Sequence, residues 1–527
     1  MAHVSRRALV AGTAATAAAV SALPVAASAR VPVRRLRRRV VVVGSGFGGS
    51  VASLRLTRAG VPVTLLKQGR AWPTGPDAET FPHATSPDER ALFYGSAPEL
   101  FGRPLSVAPY AGLFNAIAGP TMTIMTGNGY GGGSLTYQGM SLQPARAVFE
   151  HEFPAAVDFD EMHRTYYPRV ARMLGLRTAP DALIRSETYQ PARIFRRNAE
   201  AAGYDVDKIP MPIDWSFALR ELRGEMKPSY TNGDCGIGVN NGGKHSLDRT
   251  YLRRAERTGK LEVRLLHRVT DIGRTARGEW LLTVVRTDVR GRTLETKLIT
   301  TPTLIMGAGS AGTSRMLVRA GATDQVRDLP DAVGRNWGSN ADRIYIWTSL
   351  ADDFGPVQGG PVVYGSKEWG NPARANTVIQ ASLPPIALGP VDVDARSTVL
   401  VGYGVSAARG RFRYRGLTDT VDLQWAHEAD AAIQRRIGQR IKAVAGPASV
   451  LLDTNAVVPS TWHPMGGMGM GQACDVEGRV EGQRGLYVLD GALLPGTAAA
   501  CNPSMTIAAL AERAMDRIVR KDVGRII

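Results

Sequence analysis

The first long apolar run of the chain is a set of four consecutive valines, Val40–Val43, which ends at a glycine-rich turn. A continuous β-branched run bounded by glycine predicts a strand that is buried on both faces of a parallel sheet. Residues 50–59 then have the pattern of a helix that Gly60 ends, and residues 61–66 predict a second strand. The pattern therefore predicts that a strand–turn–helix–strand unit opens the folded part of the chain.

Regular patterns return only after a long irregular stretch at residues 70–240, which carries many Pro, Gly and aromatic residues. We interpret this stretch and residues 336–470 as two excursions from the fold that the strand–turn–helix–strand unit opens. Strands at 280–286 and 296–300 predict a hairpin. Further strands are predicted at 261–266, 303–310 (ending in a glycine-rich turn), 376–382, 398–405 and 486–489, and helices at 311–320, 425–445 and 503–520.

The length of 527 residues exceeds one compact core, since domains usually hold roughly 100–200 residues, and this predicts two closely joined domains. The net charge of +17 is unevenly placed, because six arginines lie within residues 30–39. We predict that this basic segment is a linker, either simply solvated or in transient contact with an anionic membrane surface. We expect no nucleic-acid partner, because zinc-finger spacing and an aromatic RNA-binding signature are both absent.

Residues 1–29 predict an export signal rather than folded structure. Arg6 and Arg7 precede a weakly apolar run of small residues that ends in Ala27-Ser28-Ala29, the pattern of a cleavage site. The arginine pair favours the Tat route, which exports folded proteins, over an ordinary Sec signal. We therefore expect a secreted, extracellular protein.

The three cysteines, Cys235, Cys474 and Cys501, are too few for a disulfide framework. The sequence leaves open whether one pair, with Cys235 and Cys474 as the first candidates, forms a bridge. No pair has the spacing of zinc ligands, so we predict no metal site.

The turn after the first strand has the spacing G-x-G-x-x-G, with Gly44, Ser45, Gly46 and Gly49. Between a strand and a helix this spacing predicts a dinucleotide site: Gly44 permits the tight turn, Gly46 the approach of a pyrophosphate, and Gly49 close helix–strand packing. Lys67 follows the second strand, where an acidic residue normally accepts hydrogen bonds from the ribose hydroxyls. A lysine has only donors, so this position departs from the pattern.

Five glycines lie within residues 127–133, and apolar residues flank them closely. This density predicts backbone packed flat against phosphates or a large planar group, at Gly127, Gly129, Gly132 and Gly133. A flexible surface loop is the alternative that the flanking residues disfavour.

Polar motifs near the C-terminus are the candidates for catalysis. His463 lies in a Pro- and Gly-rich segment and not on an apolar periodic face. Asp490 and Gly491 follow a short buried strand. Asn502 is predicted as the N-cap and Pro503 as the first residue of the last helix, whose positive N-terminus would stabilise negative charge on a bound electron-rich ring.

In order and spacing, the two glycine clusters, the His463 motif, Asp490-Gly491 and Asn502-Pro503 resemble the motifs of the glucose-methanol-choline oxidoreductases. Segments 241–251 and 307–310 look like those of actinobacterial cholesterol oxidases with non-covalent FAD. The resemblance covers residues 40–527. It implies FAD as the cofactor and adds three residues to the cofactor-binding set, Met140, Val269 and Gly307.

The resemblance also implies the fold, an α/β protein in which a Rossmann-like FAD-binding domain is interleaved with an α+β substrate-binding domain carrying a mixed or antiparallel sheet. The FAD-binding domain is assigned to 40–70, 240–335 and 477–527, with the segment 127–140 against the flavin, and the substrate-binding domain to 71–239 and 336–476.

In that family His463 and Asn502 correspond to the pair that holds and polarises the substrate hydroxyl, hydride passes to the flavin, and O₂ is reduced to H₂O₂. Imidazole suits this role, because it accepts a proton near neutral pH. The expected substrate is a sterol or a similarly bulky apolar alcohol, in a pocket lined by Tyr137, Met140 and Trp462 of a monomeric protein.

Two residues depart from the cholesterol oxidase pattern. Gln380 stands where those enzymes carry the glutamate that moves the steroid double bond, and an amide cannot shuttle a proton, so we predict oxidation without efficient isomerisation. Lys67 is the second departure. Together they keep open a secreted sterol-binding homologue with degenerate catalysis, a flavin alcohol dehydrogenase with another acceptor and, with less support, an NADP-dependent enzyme.

Overall fold

The computed structural model describes residues 31–100, 103–381, 387–388, 391–392, 395–426, 428–457 and 459–527. The predicted export signal at residues 1–29 lies outside these ranges.

The strands of the described residues, in chain order, are β1 Val33–Arg37, β2 Val40–Val43, β3 Val63–Lys67, β4 Glu99–Leu100, β5 Arg103–Pro104, β6 Phe114–Ala118, β7 Thr123–Gly127, β8 Asp207–Lys208, β9 Leu261–Leu265, β10 His267–Arg274, β11 Trp280–Thr287, β12 Thr293–Thr301, β13 Thr303–Met306, β14 Arg343–Ser349, β15 Tyr364–Glu368, β16 Asn376–Ala381, β17 Ala387–Leu388, β18 Val391–Asp392, β19 Ser397–Gly404, β20 Arg411–Arg415, β21 Thr420–Gln424, β22 Ser449–Asp453, β23 Ser460–Thr461 and β24 Leu486–Val488.

The α-helices of the same residues are α1 Phe47–Arg58, α2 Arg146–Glu152, α3 Phe159–Glu161, α4 Tyr167–Leu174, α5 Asp181–Ile184, α6 Gln190–Ala201, α7 Trp215–Leu222, α8 Arg253–Glu256, α9 Ser310–Ala322, α10 Ala431–Ala445, α11 Thr454–Val457 and α12 Ser504–Asp522. Short 3₁₀ or π turns occur at Gly132–Leu135, Met162–Tyr166, Glu187–Tyr189, Asp234–Ile237, Asp248–Leu252, Pro372–Arg374 and Gly491–Leu493.

A five-stranded parallel sheet with the order β24–β13–β2–β3–β9 forms the centre of one half of the molecule. The four valines of β2 are fully buried between β13 and β3, as their unbroken apolar run predicts. Helix α1 connects β2 to β3 and packs against the C-terminal helix α12. The predicted α/β fold is confirmed, and the carboxyl ends of β2, β3 and β13 meet at one edge of the sheet.

A four-stranded sheet with the order β1–β12–β11–β10 lies beside this unit and contains the predicted hairpin. The prediction of a linker at residues 30–39 needs correction, because β1 pairs in parallel with β12 along its whole length. Its arginines are also partly neutralised, since Arg34 pairs with Glu295 at 2.8 Å and Arg37 with Glu279 at 2.7 Å. Strand formation therefore begins before the first buried valine.

The second half is built on a six-stranded antiparallel sheet with the order β22–β14–β19–β16–β15–β8, as expected for a substrate-binding domain. Helix α10 packs on one face of this sheet, with Ile437 against Gly402 of β19. The helix begins at Ala431 rather than at the predicted residue 425. The Asp430 carboxylate before it accepts hydrogen bonds from Ser406 Oγ and the Ala408 N–H, which tie this end of the helix to the segment after β19.

The three cysteines are free and buried, so the bridge between Cys235 and Cys474 does not form. Over the described ranges, no helix is both long and apolar enough to cross a membrane. The same residues contain no cluster of three or more His, Cys, Asp and Glu side chains that would hold a metal ion.

Candidate active site

A cavity of about 1330 Å³ lies between the carboxyl edge of the parallel sheet and one face of the six-stranded sheet. Its lining includes Val43 and Lys67, at the ends of β2 and β3, and Ile346, Ile379 and Val399 of the other sheet. This volume exceeds the roughly 300–1,000 Å³ of ordinary small-molecule sites. The cavity therefore has room for a dinucleotide together with a second ligand.

The first glycine cluster forms one wall of the cavity. A Cβ on Gly44, whose φ is +99°, would lie 2.1 Å from the Gly307 carbonyl oxygen, so only glycine permits this contact between two strand ends. Gly46 lines the cavity, and a Cβ there would meet nothing closer than 3.9 Å. Gly49 does not reach the cavity; it packs against the Gly44 carbonyl, which is the helix–strand packing role predicted for it.

The two glycine clusters contact each other directly. Ser45 does not line the cavity, as its hydroxyl accepts a hydrogen bond of 3.1 Å from the Gly131 N–H. A Cβ on Gly132 would lie 2.8 Å from the Gly46 Cα. Ser45 therefore joins the clusters instead of contacting a ligand, which corrects its predicted role.

Three of the four residues predicted in the second cluster line the cavity, namely Gly127, Gly132 and Gly133. Gly129 does not line the cavity, because it packs against the Trp72 indole and the Leu135 side chain. A Cβ at residue 129 would lie 2.3–2.5 Å from their atoms. The glycine at position 129 is thus required by core packing rather than by a ligand.

The residues at the carboxyl edge have the donor and acceptor pattern that a dinucleotide needs. Helix α1 points its N-terminus at the cavity and has no side-chain cap, so its first N–H groups are available to phosphates. Asp490 lines the cavity and accepts hydrogen bonds from the Gly309 N–H and the Thr313 hydroxyl. Burial raises the pKa of Asp490 to about 6. Gly307, Gly491, Met140, Val269 and Pro503 of the predicted set also line the cavity.

Lys67 lies at the last position of β3 and lines the cavity, as its place in the sequence predicts. Burial lowers the pKa of its ammonium group to about 8. No hydrogen-bond or ion-pair partner for it is found in the part of the chain that the structure describes. Arg268 also lines the cavity, with a buried Nε that lacks a partner, so this end of the cavity is cationic.

His463 lies in the lining of the cavity, and its side chain is 20% exposed. Its Nδ1 lies 2.7 Å from Oδ1 of Asp342, a carboxylate that is only 4% exposed. The ring of Tyr403 packs edge-to-face against the imidazole at a centroid distance of 5.4 Å. The imidazole is therefore held in one orientation by a carboxylate and an aromatic ring.

Asn502 lies beside the cavity but does not cap helix α12. Its Nδ2 donates to the Met140 carbonyl and, at 2.9 Å, to Ser504 Oγ, while Pro503 occupies the cap position without a side-chain hydrogen bond. The Oδ1 of Asn502 is buried and has no partner among the described residues. An orphaned acceptor in a cavity wall indicates that a ligand supplies the missing donor.

One face of the six-stranded sheet forms an apolar wall of the cavity. Alternate residues of three neighbouring strands point into it: Ile344 and Ile346 of β14, Ile379 and Ala381 of β16, and Val399 and Val401 of β19. This alternation also corrects the prediction for Gln380, which falls between Ile379 and Ala381 and so faces the other side of the sheet. Its amide donates to Thr398 Oγ1 at 3.0 Å, and it does not line the cavity.

Asp342 and Tyr403, the two side chains that hold His463, belong to none of the motifs found in the sequence. Both come from the six-stranded sheet or the turn before it, more than 50 residues from His463 along the chain. No spacing or composition in residues 336–343 distinguishes Asp342 from a surface acid. Tyr137 and Trp462, which were expected in the pocket, do line the cavity.

Two family models, both described as GMC oxidoreductase, match residues 7–339 and 411–511 of the chain. A cholesterol oxidase of Acinetobacter baumannii is 24% identical over 91% of the chain and 94% of its own length. A cholesterol oxidase of Mycobacterium tuberculosis is 26% identical over 90% of each protein. A long-chain-alcohol oxidase of Arabidopsis thaliana is 25% identical over 41% of the chain and 24% of its own length.

Among solved structures, the pyridoxine 4-oxidase from Mesorbium loti superimposes with a TM-score of 0.65. The match covers 91% of this chain and 99% of that structure at 15% sequence identity. At such low identity the likeness establishes a shared fold alone.

Proposed function

The chain belongs to the GMC oxidoreductase family, and from this premise we propose that it is an FAD-dependent oxidase of a bulky, apolar secondary alcohol of the sterol type. One observation carries the proposal. A single cavity joins a glycine-lined dinucleotide cradle to an apolar wall, and His463 and Asn502 both belong to its lining.

The residues of the cradle fit FAD. The uncapped N-terminus of α1 with Gly44 and Gly46 would hold the pyrophosphate, and Gly132 and Gly133 would lie against the flavin portion. When bound, FAD supplies the acceptor for the hydride that leaves the alcohol carbon. The protein positions the alcohol and accepts its hydroxyl proton, and His463 suits the role of base better than His267, the second imidazole of the lining, whose ring nitrogens contact the Leu265 carbonyl and Lys297.

The apolar wall supports a rigid, hydrophobic substrate. Six side chains of β14, β16 and β19 present a continuous aliphatic surface without a hydrogen-bonding group. A flat polycyclic alcohol buries more apolar area on such a surface than a short or charged alcohol does, at roughly 25 cal/mol per Å². Cholesterol oxidases are among the relatives, and this supports a 3-hydroxysteroid as the substrate class.

We expect the ketone product to keep its double bond in place. The carboxylates among the described lining residues are Asp342, Asp419 and Asp490. Asp342 pairs with His463, Asp419 with Arg319, and Asp490 with the Gly309–Thr313 turn. None of the three carboxylates lies on the apolar wall. Weak isomerisation therefore follows from the lack of a carboxylate on the wall, rather than from Gln380 as such.

The first experiment is an absorption spectrum of the purified protein before and after anaerobic addition of cholesterol. Flavin bands near roughly 380 and 450 nm that bleach with the sterol, followed by re-oxidation with O₂ and release of H₂O₂, support the proposal. Product analysis of the same sample should give the unisomerised ketone. Bands that stay unbleached would reject cholesterol as substrate, and re-oxidation only by another acceptor would favour a dehydrogenase.

A second candidate function is sterol binding with degenerate catalysis, which the cationic Lys67 at the adenosine end favours. Retained sterol binding by a colourless protein, even after FAD is supplied, would support that function and contradict the first. We further propose that the mature protein is a secreted monomer exported by the Tat route. Replacement of Arg6 and Arg7 by lysine should then abolish its appearance in the medium.

A further inference from the structure

Asp342 makes a direct hydrogen bond to the candidate catalytic base. We propose that Asp342 is the positioning residue that fixes His463 in the tautomer with its proton on Nδ1, so that Nε2 is left to take the hydroxyl proton of the substrate. This inference rests on the proposed function, and it assigns a role to a residue that the sequence motifs do not include.

The tautomer follows from the neighbours of Nδ1. The Asp342 carboxylate, 2.7 Å away, can only accept a hydrogen bond, so Nδ1 must carry the proton between them. The amide Nδ2 of Asn340 lies 3.5 Å from Nδ1, which is too long to compete, and it donates instead to the Cys501 carbonyl at 3.0 Å. A neutral imidazole with a proton on Nδ1 has a bare Nε2, for which no partner is found among the described residues.

Asp342 is itself fixed by three restraints. Its Oδ2 accepts hydrogen bonds from Thr461 Oγ1 at 2.8 Å and from the Trp462 N–H at 3.1 Å. It also follows two consecutive non-glycine residues in the left-handed region, Asn340 at φ +61° and Ala341 at φ +52°. Strained backbone of this kind persists where the surrounding contacts demand it, and it is concentrated at functional sites. The carboxylate is therefore held in place before any ligand binds.

This arrangement gives Asp342 a defined part in the oxidation. The O–H bond of the alcohol breaks with its proton passing to Nε2 as the C=O bond forms, and FAD held by the glycine-lined cradle would supply the acceptor for the hydride that leaves the alcohol carbon. The imidazole then carries a positive charge. The buried Asp342 carboxylate stabilises that charge through the Nδ1 hydrogen bond, without taking the proton itself.

The kinetic test compares Asp342→Asn, Asp342→Glu and wild type by stopped-flow flavin reduction with the alcohol that bleaches the wild type. An asparagine amide can donate to Nδ1 and so favours the wrong tautomer. We expect D342N to slow flavin reduction by about 10²–10⁴-fold with little change in the apparent Kd for the alcohol, and D342E to recover part of the rate. Asp430→Asn is the matched control, because Asp430 is equally buried and hydrogen-bonded but does not line the cavity.

Loss of the same rate in D430N, or a D342N rate within about threefold of wild type, would overturn the inference. A second readout needs no Asp342 variant and no substrate: the ¹H–¹⁵N spectrum of ¹⁵N-histidine-labelled wild type, with His463→Gln used to assign the signal. We expect His463 to be protonated on Nδ1 and unprotonated on Nε2, and the opposite tautomer would contradict the proposal. If no alcohol bleaches the flavin, the result counts against the proposed function. The ¹H–¹⁵N spectrum then tests by itself whether Asp342 fixes the His463 tautomer.

Discussion

Lys67 is a cation at a position where dinucleotide sites of this architecture normally carry an acid. It stands at the cavity end of β3, without a partner in the described part of the chain, and Arg268, whose Nε is unpaired, lines the same cavity. The Lys67 side chain itself would offer a ligand ribose placed there donors but no acceptor for the ribose hydroxyl protons. Lys67 therefore affects how tightly the cofactor binds rather than which cofactor binds.

We predict that Lys67→Glu binds FAD at least about tenfold more tightly than the wild type, since a hydrogen bond to a charged acceptor contributes about 1.5–3 kcal/mol. The measurement is the quenching of flavin fluorescence when the apo-protein is titrated with FAD. Lys67→Met serves as the control, because it removes the cation without adding an acceptor and should gain much less. Weaker FAD binding by K67E would show that the ammonium contacts the cofactor favourably.

At the level of elements, short-range patterns predicted individual strands in both halves but not the contacts between residues far apart along the chain. The valines of β2, the glycine turn and the hairpin β11–β12 are encoded by neighbouring residues, so the sequence predicted them. The direction in which Gln380 points depends on strand register, which is set by pairing with Leu400 far along the chain. The contact between Asp342 and His463 spans 121 residues, and no local pattern encodes such a contact.

The turn between β2 and α1 allows a test that separates backbone conformation from close packing. Gly44 and Gly60 both have positive φ, +99° and +85°, but only Gly44 faces another backbone, whereas a Cβ on Gly60 meets nothing within 4 Å. We expect Gly60→Ala to cost about 1–2 kcal/mol from backbone strain alone. Gly44→Ala must also displace the Gly307 carbonyl and should cost more than about 4 kcal/mol.

Urea denaturation of the two apo variants measures the difference, and the ratio of the flavin bands to the protein band reports FAD retention. Similar losses in both variants would mean that the turn can move away from β13. In that case the Gly44–Gly307 contact would not be the feature that shapes the cradle.

At the scale of the whole molecule, one buried carboxylate connects helices of both predicted domains. Glu512 on α12 is 1% exposed, and its oxygens lie 3.1 Å from Arg169 on α4, 3.7 Å from Arg55 on α1 and 3.0 Å from the Tyr251 hydroxyl. Helix α4 belongs to the predicted substrate-binding segment, whereas α1 and α12 belong to the cofactor-binding segments. The carboxylate thus neutralises cations from both sides of the domain junction.

Glu512→Gln keeps the shape of this side chain and removes its charge, so Arg55 and Arg169 would be left sharing only the neighbouring Asp516. Arg55 and Arg169 are 24% and 28% exposed and keep Asp516 as a partner, so loss of the charged acceptor should cost about 1.5–3 kcal/mol, and the midpoint of thermal unfolding should fall accordingly. Because the Glu512 carboxylate itself is buried, part of the loss should persist at high salt. Asp160→Asn breaks the exposed pair with Arg146 and should leave the midpoint unchanged. An E512Q midpoint equal to that of D160N would show that the domain junction depends on apolar packing rather than on this charge.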